Sequence, residues 1–149
     1  MSDNWLQYVP RDPEFQPAPE ASERAAALLL SFLPNAESVD VEFHDEVVFF
    51  HPGANWSGVK CPACGADVES WWSDEMERAS ERGFSELSCV TPCCRTSTTL
   101  DQLQYVWPAA FGKYVLEAMN PNVKGLTRQQ LEQLASVLGS DLNEVALHI

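Results

Sequence analysis

Cys61-Pro62-Ala63-Cys64-Gly65 and, further on, Cys89-Val90-Thr91-Pro92-Cys93-Cys94 are the stretches on which the fold turns. Two thiolates separated by two residues can grip one tetrahedral metal ion from a single tight turn. Proline presets φ in such a turn. The glycine after the second cysteine allows the left-handed conformation that aims backbone N–H groups at the sulfurs. A second cysteine cluster completes a knuckle–insert–knuckle arrangement. The sequence therefore predicts a zinc-ribbon-like clip over residues 61–94, with zinc as the cofactor.

The second cluster is not a copy of the first. Overlaying Thr91-Pro92-Cys93-Cys94-Arg95 on Cys61-Pro62-Ala63-Cys64-Gly65 pairs Pro92 with Pro62 and Cys94 with Cys64, and leaves Thr91 where a cysteine is expected. The fourth ligand must then come from Cys93 or Cys89. Strand alternation sets Cys89 on the same face as Leu87 with Ser88 opposite, the pattern of a buried strand cysteine. The favoured set is Cys61, Cys64, Cys93 and Cys94, with Cys89 as the alternative ligand. His44 and His51 are more distant alternatives. A thioredoxin-like redox pair is a competing reading of Cys-Pro-Ala-Cys. It requires a helix directly after the motif, whereas Gly65 follows at once and leaves the second cluster unexplained.

Working outward, the chain has 149 residues, 45% of them hydrophobic and 10% aromatic. That is the size and composition of one globular domain, long enough to bury a core without metal. Lys and Arg number 9 against 22 Asp and Glu, for a formal charge of −13. Arg78 and Arg82 are interleaved with Glu75, Glu77 and Glu81, so no basic cluster exists. Nucleic-acid binders need such clusters, and a direct nucleic-acid role is disfavoured. An acidic surface serves solubility at the least. It can also steer a basic protein partner.

Met1–Val9 has neither the basic region nor the apolar run of a signal peptide. The apolar run Ala25–Leu30 is too short to span a bilayer. The chain is therefore expected to stay in the cytoplasm, with no membrane partner. Its five cysteines would be reduced there, which favours metal over disulfides.

The expected architecture is a single α+β domain with short mixed strands and about three helices. Residues 1–20 carry Pro10, Pro13, Pro17 and Pro19 among aromatics, and read as an extended arm packing on a body of residues 21–149. Ser22–Leu33 has helical spacing at Ala25, Leu28, Leu29 and Phe32, and Pro34 ends it. Val39–Phe43 and Val47–Phe50 read as a hairpin around His44-Asp45-Glu46. Ser73 reads as the N-cap of a helix that buries Trp72, Met76 and Ala79 and ends at Gly83. Phe84–Val90 and Lys113–Met119 read as strands. Thr127 and Gln130 form a capping-box pattern ahead of a Leu131, Leu134, Ala135, Leu138 stripe closed by Gly139. Glu144–Ile149 is a final strand.

The chain holds no glycine-rich phosphate loop, no G-x-S-x-G and no H-E-x-x-H. Four cysteines on one metal describe a closed structural site, whereas a catalytic zinc keeps a position open for water. His44, Asp45, Glu46 and His51 are the residues an acid–base site would use. Trp71 and Trp72 cannot share one helical face. A tryptophan exposed among acids is an interface anchor, so Trp71, Asp74 and Glu75 are the candidate partner-binding residues. The functional expectation is a non-enzymatic, zinc-stabilised acidic protein-binding module, of an inhibitor or immunity type acting on a basic partner. A metal-dependent enzyme and a zinc-ribbon nucleic-acid adaptor are the alternatives.

The order of these features resembles a family of uncharacterised bacterial proteins. They share an aromatic and proline-containing segment like Trp5–Pro19, a Cys-Pro-x-Cys-Gly knuckle and a later Thr-Pro-Cys-Cys. A segment like Thr98–Tyr105 follows, and then a strand, Asn-Pro, helix and strand like Lys113–Ile149. The resemblance implies that the position of Cys89 is not typically cysteine, in favour of Cys93 and Cys94 as ligands. It also implies glycine after the second pair, where this chain has Arg95. It brings no established activity.

Overall fold

A computed structural model describes residues 2–149. The chain order is β1 (Asn4–Pro10), α1 (Pro19–Phe32), β2 (Ser38–Phe50), β3 (Val59–Lys60), α2 (Glu69–Ser80), β4 (Ser88–Val90), β5 (Ser97–Thr99), β6 (Gln104–Tyr105), β7 (Ala110–Met119), α3 (Arg128–Leu138) and β8 (Leu142–His148). One four-stranded sheet runs β2-β7-β1-β8, and its pairings are antiparallel. The pairs β3–β6 and β4–β5 form two small sheets. With its three helices, the chain is the α+β domain that the sequence predicts.

The N-terminal segment is the main correction. Residues 4–10 are not an arm laid on the body but an inner strand, with Trp5 opposite Met119 on one side and Leu147 on the other. The prolines disguise it because they all fall at or beyond its end: Pro10 is the last strand residue and Pro19 opens α1. Proline is well placed at the first turn of a helix, where its missing N–H costs nothing. The helix therefore begins earlier than the apolar spacing alone indicates.

β2 corrects a second expectation. The two apolar runs do not pair with each other as a hairpin; both pair with β7. Phe43 lies opposite Tyr114 and Val48 opposite Gly112, so five steps on β2 match two on β7 and the intervening residues bulge. A hairpin needs a turn that reverses the chain, and His44-Asp45-Glu46 lacks the glycine or asparagine that favours one. The Gln16 side chain pins the bulge, its Nε2 donating to the carbonyls of His44 and Lys113.

Helices α1 and α3 cover one face of the sheet. Ala25, Leu29 and Leu33 meet Leu134 and Leu138 over Leu6, Tyr8, Tyr114 and Leu116, all buried. The α3 cap is as the sequence predicts: Thr127 and Gln130 exchange both capping-box hydrogen bonds, and Gly139 closes the helix at φ 87°. A second buried cluster gathers Val47, Val59, Cys61, Val68, Ala79, Cys89, Leu100, Leu103, Tyr105 and Phe111. Phe111 belongs to β7, so the main sheet reaches directly into this second cluster.

In the second region α2 starts at Glu69, and Ser73 is an exposed residue inside it, not its cap. Asp67 Oδ1 accepts from the Glu69 N–H at 2.9 Å at the helix start. Trp72, Met76 and Ala79 do share the buried face. The strand expected over Phe84–Val90 is reduced to Ser88–Val90. Phe84 sits at φ 55°, a left-handed conformation incompatible with a strand.

Candidate metal centre

The site is built from two turns of the same shape. In the first, the Gly65 N–H donates to the Cys61 carbonyl at 2.9 Å and the Cys61 N–H to the Ala66 carbonyl at 2.8 Å. In the second, the Arg95 N–H donates to the Thr91 carbonyl at 2.9 Å and the Thr91 N–H to the Thr96 carbonyl at 2.9 Å. The overlay made on sequence is thus the overlay of the backbone. Gly65 takes φ 76° and Arg95 φ 57° at matching positions. Arginine pays steric strain there that glycine avoids, yet the turn closes in the same way.

The sulfurs of Cys61, Cys64, Cys93 and Cys94 all lie within 4.8 Å of one another. The closest approaches are 3.3 Å for Cys64 to Cys93 and 3.6 Å for Cys61 to Cys94. Four tetrahedral ligands about 2.3 Å from a common zinc stand roughly 3.8 Å apart. The observed spacing fits a divalent ion held by four thiolates. Cys61 is buried, while Cys64, Cys93 and Cys94 are exposed.

Thr91 occupies the position that a fourth cysteine holds in a symmetric pair of knuckles. It is fully buried. Its hydroxyl stands 3.6 Å from both Cys61 Sγ and Cys94 Sγ and accepts from the Thr96 N–H at 3.1 Å. Thr96 Oγ1 approaches Cys94 Sγ at 3.0 Å. Two hydroxyls therefore back the sulfurs, and Cys93, one residue further along the turn, makes up the fourth thiol. Hydroxyls beside ligand sulfurs orient them and stabilise their negative charge.

The thiols do not titrate alike without a metal. The Cys64 backbone N–H, helped by the Thr91 hydroxyl, holds Cys61 down to about 6 against the upward push of burial. The Thr96 hydroxyl lowers Cys94. Contact with Cys64 pushes Cys93 up to about 12. A divalent cation held by the four sulfurs would displace the proton that the raised Cys93 thiol otherwise keeps.

Cys89 lies outside this group. It is buried on β4 within the second core cluster, and burial pushes its thiol up to about 11. His44 Nε2 sits 3.1 Å from Glu42 Oε2, and His51 Nδ1 accepts from the Gly53 N–H. Neither histidine joins the four sulfurs.

The candidate partner residues Trp71, Asp74 and Glu75 stand at i, i+3 and i+4 of α2, as neighbours on one side of that helix. Trp71 is half-buried and packs on the second cluster. Asp74 is exposed, and Glu75 is paired with Arg78 at 2.9 Å. The exposed tryptophan is Trp107. Its position in an irregular segment gives no periodicity from which exposure could be read. Among the described residues no helix is long and apolar enough to cross a membrane. Compared with models of known protein families, with curated proteins and with solved structures, the chain matches none.

Proposed function

We propose that this chain is a non-enzymatic, zinc-stabilised acidic module that binds a basic protein, in the manner of an inhibitor or immunity protein of the cytoplasm. The observation that carries the zinc reading is the complete four-sulfur set on two matched turns. Thiolates select soft or borderline metals, and a tetrahedral four-sulfur arrangement is the structural zinc pattern, with iron as its main competitor. Such a set leaves no position for a reacting water, which favours a structural over a catalytic metal.

The protein-binding reading rests on charge. Four thiolates on one Zn²⁺ take the formal −13 to about −15. Exposed Asp40 and Glu42 point to one face of the edge strand β2 and exposed Val41 and Phe43 to the other, with exposed Asp45 and Glu46 in its bulge. An acidic edge strand flanked by exposed apolar side chains is suited to a basic partner that also buries some apolar area. This surface supports the reading better than the half-buried Trp71.

Two measurements test the proposal. Elemental analysis of reduced, unchelated protein should give about one zinc per chain; a zinc-free, folded protein defeats the metal assignment, and a coloured protein points to iron. An affinity pull-down from the native host should capture a basic protein. Its association should slow as salt rises, since exposed charges are screened over about 8 Å at 0.15 M. Association indifferent to salt and to Glu42→Lys, or tight binding to DNA or RNA, defeats the partner assignment.

A further inference from the structure

Away from the cysteines, a cleft of about 560 Å³ opens where the chain leaves β7, where β1 begins and where β8 ends. Its size is that of a small-molecule site. Trp5 and Trp107 line it, together with Val123 and Leu147. Trp107 and Val123 are 41% and 48% exposed, an apolar surface left open among the described residues.

The charge of the cleft is opposite to that of the molecule. The chain carries 22 acidic residues, yet no aspartate or glutamate lines this cleft. Its ionisable lining residues are Lys124 and His148. Lys124 has no acidic partner among the described residues. Asp3 is set back, its Oδ1 accepting from Asn120 Nδ2 at 3.1 Å.

The polar wall is fixed in place. Asn4 Oδ1 holds His148 Nδ1 at 2.7 Å, and Asn120 Oδ1 accepts from the Asn4 N–H at 2.9 Å. Asn120 and Asn122 both adopt left-handed backbone, at φ 47° and 62°. Residues held in that region mark segments whose shape is set by their surroundings. Asn122 is exposed and its side chain makes no hydrogen bond among the described residues.

We infer that this cleft binds a small molecule with a flat apolar body and one anionic group, of the aromatic carboxylate class. The tryptophans accept the body by stacking and area burial. Lys124, with the amide of Asn122, receives the anion. An organic cation is the wrong ligand, because nothing in the lining neutralises it. The inference stands independently of the metal and of any protein partner.

The test is a titration of ¹⁵N-labelled full-length protein, as purified, followed by NMR with three probes of one shape. They are 2-naphthoate, 2-naphthalenemethanol and 2-naphthylmethylammonium. Saturable shifts are expected at Trp107, Asn122 and Lys124, tightest for the carboxylate and absent for the ammonium. Trp107→Ala should weaken 2-naphthoate at least tenfold. Lys124→Gln should weaken 2-naphthoate about three- to fivefold, as suits an exposed charge, and leave the alcohol unchanged. Both side chains are exposed, so the variants should keep the parent's circular dichroism spectrum. The inference is overturned if 2-naphthoate does not bind, if its shifts centre elsewhere, if the ammonium binds equally well, or if both variants bind it like the parent.

Discussion

The two halves of this molecule reach order by different routes. The main sheet with α1 and α3 has strands of seven to thirteen residues and a buried cluster containing Tyr8, Leu29, Tyr114, Leu116 and Leu134. The clip, over residues 59–105, has strands of only two or three residues. Two-stranded ribbons of that length are not stable in water on their own. Their cluster is also smaller in aliphatic content and leans on Cys61 and Cys89. The comparison teaches where a metal matters: the sheet has a large core of its own, whereas the two cysteine turns are joined to each other chiefly through their four sulfurs and the Thr91 hydroxyl.

The largest expected effect breaks the comparison most directly. Chelation, or Cys61→Ser, should strip hydrogen-exchange protection from residues 59–105 while β1 and β7 remain protected. Metal binding in a small clip is folding free energy, so the loss should extend through α2. If β1 loses protection in step with the clip, the halves are one cooperative unit and the contrast fails. The converse variant is Leu116→Ala, which should cost about 2–5 kcal/mol of global stability while the folded fraction keeps its full metal content. Loss of metal from the folded fraction would show that the sheet holds the site.

Acid and alkali should separate the halves as well. The depressed thiols stabilise the clip only while ionised. Their contribution is complete above the ordinary thiol range and is lost as pH falls through the folded value, about 6 for Cys61 without metal. Metal release should therefore precede loss of the sheet on acidification. Alkali acts differently. Burial, with the Glu144 carboxylate adding to it, raises Tyr8, and burial raises Tyr105 and Tyr114. A raised phenol contributes stability that is intact below about pH 10, the unfolded value, and declines above it. Both halves should weaken there, seen as tyrosinate absorbance rising together with loss of circular dichroism.

Smaller effects sharpen the boundary of the site. Cys89→Ser should cost about 1–3 kcal/mol by placing a hydroxyl in an apolar setting, with metal content by elemental analysis the same as the parent's. Loss of metal from that variant would return Cys89 to the ligand set. Thr127→Ala removes the capping box of α3 and should cost about 1 kcal/mol in chemical denaturation, with no change at the clip.

The legible parts of the sequence were those governed by local chemistry. Thr127, Gln130 and Gly139 mark α3 because caps follow from neighbours along the chain. The spacing at Cys61 and Cys64 and the proline at 92 announce two turns of one shape, and alternation about Ser88 separates Cys89 from the four sulfurs. What escaped depends on distant partners. Residues 4–10 become an inner strand only because β7 and β8 flank them. The two runs of β2 become one strand because β7 is long enough to pair with both. Trp71, expected to be exposed, is half-buried because α2 packs on a cluster that includes Val59, Leu100 and Phe111, most of it remote in sequence. The cleft joins residues from the first and last strands, which no local pattern can foresee.

The position of β1 also has a consequence for how the molecule is made. Asn4 lies opposite His148, and Tyr8 opposite Leu116. During synthesis the first strand leaves the ribosome long before either neighbour exists. At about 5–20 residues per second, Leu6, Tyr8 and Val9 wait in solvent for several seconds, while both cysteine turns emerge and can capture their metal. Both cysteine turns are thus complete before the sheet has its centre, although the cluster behind them still waits for Phe111 of β7. A nascent chain starved of metal would carry two unfinished regions at once, and the exposed apolar strand near its start is where a chaperone would be expected to hold it.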